Sequence, residues 1–367
     1  MTEQEIPRLQ ITNPGEVAEL APFLIGFTPE ESLVVIVTRR GRVEVTARAD
    51  LADLQPRRSA EDLLNRIWDR FPDANAYLIA YTNDHAAGWE MLHRCDSHLG
   101  GRVERQTMLV DHDGWELADG QSGTIDRNGP TSTQATGYGL KVRPSRADLE
   151  ASFASAPDSD QLTGRIASIL DTLPPPRDTG RIITLTRDLL TRNLPPAEPG
   201  EPAPARIPVE DAIKLAVLTQ NPSAQSLALL SMTRDNAPQH LQLWRGIVNQ
   251  VPDYGAEAPL YLAGMAAWIS GDGASAVVAL DRSIALAHTD EPTAHTELLS
   301  QLIDQVVPPT AWPSIRADVL AAATPRVREA TLAVEPDRLE VWETIAPPKA
   351  RRPEPPSPAP PAPGIAI

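Results

Sequence analysis

Read for periodicity, the first third of the chain interleaves short apolar runs and two-residue alternation with helical spacing. Beyond about residue 208 the pattern is helical throughout. Asn13-Pro14-Gly15-Glu16 opens a short helical pattern with Val17, Leu20 and Ala21 on one face. Asn13 is suited to the N-cap and Pro14 to the first helical position, and Pro22 is expected to disturb the helix. Ser32–Thr38 is short, β-branched and bounded by turn residues, as a buried strand is. Across Arg40-Gly41 its partner, Val43–Arg48, alternates apolar and polar, which predicts a hairpin with one face to solvent.

Ser59 is placed to cap a helix running to about Arg70, with Leu63, Leu64, Ile67 and Trp68 at helical spacing and Phe71-Pro72-Asp73 as its stop. The strand Ala76–Tyr81 follows, then a helix carrying Trp89, Leu92, Cys95 and Leu99 and ending at Gly100-Gly101, then the strand Thr107–Val110. This order argues for a mixed sheet covered on at least one face by helices. Asp119 to Gly139 is polar and Gly-rich without a period and reads as a long loop.

Two helical segments between about Leu162 and Leu194 are split by Pro174-Pro175-Pro176, and the prolines of 195–208 read as a semi-rigid linker and domain boundary. Six helices are then expected: Pro208 to Leu218; Pro222 to Met232; and four marked by Leu241 to Val251, Leu262 to Ile269, Val277 to Ala287 and Leu298 to Val306. Their short connections make neighbours antiparallel. The fold expected is therefore an α+β or α/β N-terminal domain, a mixed sheet with helices, over 9–155 after a flexible start at 1–8. Helical segments and linker occupy 156–207, an all-α, tetratricopeptide-like bundle 208–325, and a weakly ordered, Pro-rich tail 326–367.

Composition narrows the function classes. At 367 residues the chain can bury two cores. A formal charge of −16 opposes phosphate backbones and anionic lipid, so neither nucleic acid nor membrane is an expected partner. The dense basic clusters, Arg39-Arg40-Gly41-Arg42 and Lys349-Ala350-Arg351-Arg352, are too short for a nucleic-acid footprint; the first reads as a hairpin turn. A single cysteine, Cys95, excludes an intrachain disulfide and fits a reducing compartment. The opening Met-Thr-Glu-Gln-Glu-Ile-Pro has no signal-peptide pattern, and no apolar run approaches the roughly 20 residues needed to span a bilayer, so a cytoplasmic location is expected.

Two resemblances add to this. Within 262–286 the spacing resembles one tetratricopeptide repeat: Gly264 at a close helix approach, Gly271-Asp272 at the turn, then Ala276, Leu280 and Ser283 facing the first helix. An ordinary αα-hairpin has the same periodicity. More widely, the run Pro22-Phe23-Leu24-Ile25-Gly26-Phe27-Thr28-Pro29-Glu30-Glu31-Ser32-Leu33-Val34-Val35, then Thr46–Leu51, Arg143–Leu149 and Ala266–Gly273 together resemble the actinobacterial domain-of-unknown-function family 4192. The resemblance covers most of residues 9 to 320 and implies an architecture and a host group but no activity. Many members carry a cysteine-rich segment after the strand pair near Trp115. Here Asp119 to Gly129 holds no cysteine, so no metal or redox role of that segment carries over.

The candidate chemistry lies at predicted strand ends: Asp84 and His85 after one strand, Asp111, His112 and Asp113 after another. Carboxylates and imidazoles there are placed to hold a divalent metal and activate water. Against this, Asp113-Gly114 is an ordinary hairpin signal and Asn83-Asp84 an ordinary helix cap. His93, Cys95 and His98 point at spread angles on a helix, which suits a buried thiol better than zinc. Gly120-x-x-Gly123 and Gly137-x-Gly139 are too sparse for a phosphate loop, and no Gly-x-Ser-x-Gly or His-Glu-x-x-His motif occurs. Arg234-Asp235 suits a helix boundary, and Trp244, Trp268 and Trp312 a core. No cofactor and no metal is expected. The leading expectation is a non-enzymatic interaction or regulatory protein that binds another protein through its helical part. A metal-assisted hydrolase using Asp84, His85, Asp111 and Asp113 is the alternative.

Overall fold

The computed structural model describes residues 11, 13–55, 57–112, 114–138, 140, 142–194, 207–287 and 294–334, with the side chains of 57, 58, 102, 294, 295 and 334 left aside. Residues 195–206 of the linker predicted at 195–208, the chain start at 1–8, the tail from 335 onward, Asp113 and Gly139 lie outside the described residues.

The first helix, α1 (Pro14–Ile25), begins as predicted, with the Asn13 side chain accepting from the Glu16 N–H at 3.2 Å. Pro22 does not end it, contrary to expectation. A proline at 22 leaves the carbonyl of residue 18 without its helical donor, and the buried Tyr81 hydroxyl donates to that Ala18 carbonyl at 3.1 Å. The helix runs on to Gly26, whose left-handed backbone (φ 80°) closes it.

Strands β1 (Ser32–Arg39) and β2 (Arg42–Asp50) form the predicted hairpin, with a register shift at Val37/Thr38 and Arg39 directly opposite Arg42. Helix α2 (Arg57–Arg70) starts two residues before Ser59, which is therefore inside the helix rather than its cap. Then come β3 (Asn75–Tyr81), α3 (His85–Leu99), β4 (Arg105–Val110) and β5 (Trp115–Leu117). The stretch expected to be one long loop holds a two-residue strand, β6 (Ser122–Gly123), and α4 (Pro130–Gly137). Helix α4 is eight residues of small polar type, too short to show a period, and it packs against α1 with Thr131, Ser132 and Ala135 buried.

The six strands lie in the order β2-β1-β3-β4-β5-β6, antiparallel throughout except β3 against β4. That parallel pair is joined by α3, as a crossover requires. Successive side chains of the central strands alternate between two buried layers. Leu33, Val35, Val37, Leu78, Ala80 and Leu109 face α2 and α3, in one cluster with Leu64, Ile67, Leu92 and Cys95. Val34, Ile36, Ile79, Tyr81, Met108 and Val110 face the other way. Burial on both sides is why Leu33–Val37 reads as an unbroken apolar run.

The second layer is continuous with the helical part. The cluster that starts on Val34 and Ile36 includes Phe153, Leu190, Trp244, Tyr261, Trp268 and Trp312. Its helices are α5 (Arg146–Ala151), α6 (Asp160–Leu170), α7 (Thr179–Asn193), α8 (Val209–Leu218), α9 (Pro222–Leu230), α10 (Ala237–Val248), α11 (Asp253–Ser270), α12 (Gly273–Leu286) and α13 (Ala294–Asp304). Helix α11 is its axis, buried at every position from Ala258 to Ile269. Such a helix is apolar all round, so its amphipathic signal is weak and only its second half shows in the sequence. Gly264 sits where predicted: a Cβ there would lie 2.7 Å from Leu299 and 3.5 Å from Ala279.

Two further helices follow, α14 (Trp312–Ala322) and α15 (Pro325–Val334), the second in a stretch expected to be weakly ordered. Leu320, Val327 and Ala330 close over Ile183, Leu227 and Leu230, so α15 is held by tertiary packing. Among the described residues no helix is long and apolar enough to cross a membrane.

Candidate functional site

Because β3 and β4 are parallel, their carboxyl ends lie side by side, Tyr81 against Val110. The residues after both strands are thus brought together, the arrangement in which α/β sheets hold ligands. Helix α3 approaches closely enough that a Cβ on Gly88 would lie 2.5 Å from Leu109 and 2.8 Å from Thr82. The glycine seats the first turn of α3, and with it His85, on β4.

His85 and Asp111 meet here, His85 Nε2 lying 2.8 Å from Asp111 Oδ2. The carboxylate is mostly buried and the imidazole half exposed, with side-chain accessibilities of 17 % and 51 %. The other Asp111 oxygen accepts from the Gly114 N–H at 2.8 Å. Asp84 turns to its own helix and accepts from the Ala87 N–H at 3.0 Å. Of the four residues proposed from sequence, two form a contact, one caps α3, and Asp113 lies outside the described residues. Among the described residues no group of three or more His, Cys, Asp or Glu is arranged to hold a metal ion.

Three neighbours complete the cluster without a signal in the sequence. Asn83 Oδ1 lies 2.8 Å from His112 Nδ1. The Thr82 hydroxyl donates to the Glu31 carboxylate at 2.9 Å and accepts from the Asp84 N–H at 3.1 Å. Glu31 sits in the left-handed region, φ 41°. The Asn83–His112 and Thr82–Glu31 contacts join residues 29 and 51 apart, and pairings that distant do not show in a local pattern.

The helical trio separates as expected from its angles. Cys95 is buried beside Leu92 and Leu99, and burial pushes its thiol up to about 11, so it stays protonated and inert. His98 bonds Asn65 at 2.9 Å, and His93 lies against Trp89. Trp244, Trp268 and Trp312 are buried; the last two meet edge to face at 6.3 Å, and Trp312 Nε1 donates to the Met232 carbonyl.

A second assembly lies where sheet and helices join. Phe27 bridges Arg143, and the Arg48 guanidinium lies over the Phe27 ring while bonding Ser32 and Asp50. Arg146 reaches Asp50 at 3.7 Å and Asp281 at 3.8 Å. Arg245 lies over Phe153; burial, then the neighbouring Arg143, pulls its pKa below the usual guanidinium value. A Cβ on Gly26 would lie 3.7 Å from Asp272. The stretches around residues 26–32, 46–51, 143–149 and 266–273, far apart in the chain, thus form one junction.

A family model described as Domain of unknown function (DUF4192) matches residues 14–310, and the chain belongs to that family. Comparison with curated proteins and with solved structures gave no match.

Proposed function

We propose that this member of the DUF4192 family is a non-enzymatic, cytosolic interaction protein that docks a protein partner through the tetratricopeptide-like pair α11–α12. One observation carries the reading: Tyr254, in the first turn of α11, and Ile284, near the end of α12, are 49 % and 44 % exposed. The pair is antiparallel, so these turns adjoin; Ser283 Oγ donates to the Glu257 carbonyl at 3.0 Å and Arg282 reaches Asp253 at 3.1 Å. Two large apolar side chains exposed at one end of this hairpin supply the anchors of a docking surface. Exposed carboxylates on Asp253 and Asp281 flank them. With a chain charge of −16, the surface suits a basic segment bearing an apolar anchor.

The resemblance to an actinobacterial family makes an actinobacterial lysate the source for the test. Wild-type protein should capture a partner that a Tyr254→Ala, Ile284→Ser variant loses at unchanged melting temperature. With the partner purified, the variant should bind at least about tenfold more weakly. Equal affinity of variant and wild type would sink the proposal.

The 2.8 Å His85–Asp111 contact favours one second reading, a metal-assisted hydrolase with acids at the strand ends. It requires divalent metal to shift the melting temperature or tryptophan fluorescence, and Asp84→Ala with Asp111→Ala to abolish the shift. A parent protein indifferent to metal rules it out.

A further inference from the structure

At the opposite end of the sheet the β1–β2 tip is built against its own folding preferences. The two-residue turn needs positive φ at both central positions, which favours Asn or Asp followed by Gly. Gly41 meets this at φ 74°, but Arg40 is held at φ 53°, where a long side chain with a Cβ is strained. The residues flanking the turn, Arg39 and Arg42, are opposite one another in the ladder, a like-charge pair that destabilises a hairpin. Only Arg39 is relieved by a carboxylate among the described residues, Glu44 at 3.0 Å.

These three arginines line one open cleft of about 820 Å³ with Glu44, Asp73 and Asn75. Three guanidiniums against two carboxylates leave one net positive charge, in a chain whose formal charge is −16. Three conflicts converge at one place: a strained arginine, a like-charge pair and a local field opposed to that of the whole molecule. A dense anion resolves the last two at once, because guanidinium forks bind phosphate oxygens in pairs. The site is too small for a nucleic-acid backbone, whose binding rests on many phosphates, and large enough for one diphosphate.

We propose that Arg39, Arg40 and Arg42 form a binding site for a small diphosphate, either inorganic pyrophosphate or the diphosphate of a nucleotide. The site is independent of the α11–α12 docking surface. Isothermal titration of the full chain at fixed ionic strength tests it, with inorganic pyrophosphate and a nucleoside diphosphate as probes. Saturable binding is expected, weakened about tenfold or more in Arg42→Gln and in Arg40→Asn. The asparagine suits the left-handed turn, so Arg40→Asn should lose ligand while its melting temperature holds or rises, which a merely structural arginine would not do. Arg187→Gln, which removes one surface charge elsewhere, should change affinity less than about twofold. Equal affinities for the two probes assign the site to pyrophosphate, and tighter nucleotide binding adds a nucleoside contact; both support the proposal. Absence of saturable binding, wild-type affinity in Arg40→Asn and Arg42→Gln, or binding of polyglutamate with pyrophosphate inert would overturn it.

Discussion

The two ends of the sheet carry similar numbers of charged residues and use them in opposite ways. At the carboxyl ends of β3 and β4, Asp84 caps a helix, Asp111 holds both His85 and a turn N–H, and Glu31 accepts from Thr82. Asp84 and Asp111 lower the energy of the fold they belong to, and Glu31, though itself at φ 41°, has its carboxylate held by the Thr82 hydroxyl. At the β1–β2 tip, Arg40 strains the turn and Arg39 faces Arg42. Charges that serve the fold need no ligand to explain them; charges that oppose it do. This contrast, rather than the presence of histidines and carboxylates, separates scaffold from candidate binding site.

Acid titration sharpens the comparison only after an interior contribution is removed, and that contribution is the largest effect expected. His240 is fully buried, and burial holds its pKa at about 3 against an ordinary 6.5, the Ser231 backbone alone opposing the shift. Between those values only the unfolded chain takes up the proton. Stability is therefore complete above pH 6.5 and is lost as pH falls toward 3, by at most roughly 1.4 kcal/mol per unit. In urea melts from pH 7 to 4, His240→Leu should flatten the profile relative to the parent.

Next in size is Tyr81→Phe, beside the strand-end cluster. Leaving the buried Ala18 carbonyl without a donor should cost about 2 kcal/mol in the same urea measurement. Asp84→Ala should cost about 1 kcal/mol as a lost helix cap, with Asp84→Asn within a few tenths of the parent. An Asn variant as unstable as the Ala variant would mean that the carboxylate charge, not capping, matters there. Smallest and opposite in sign is Arg42→Glu, which puts unlike charges across the ladder. It should stabilise by about 0.5 kcal/mol at low salt, and the gain should vanish at 1 M salt. A destabilised Arg42→Glu would break the comparison, since the tip would then resemble the other end.

What could be read from sequence follows how local each determinant is. The hairpin, the cap at Asn13 and the start of α3 rest on neighbours within four residues, and all were legible. The continuation of α1 past Pro22 depends on a hydroxyl 63 residues away from the carbonyl it serves, and α15 on packing against α7 and α9. Neither leaves a mark in its own segment. At the candidate site, Asp84 as a cap was visible in Asn83-Asp84. The His85–Asp111 contact required knowing that β3 and β4 are parallel neighbours. The Arg39–Arg42 opposition was available once the turn was placed at Arg40-Gly41, because a two-residue turn fixes which residues face each other.

The hydroxyl of Tyr81 also ties together the histories of two distant positions. With alanine at 22 the helix supplies its own donor to Ala18, and phenylalanine at 81 becomes cheap; with proline at 22 it does not. Substitutions at 22 and 81 are therefore not independent steps. A path that installs the proline before the tyrosine crosses a less stable intermediate, and one that takes them in the reverse order avoids it.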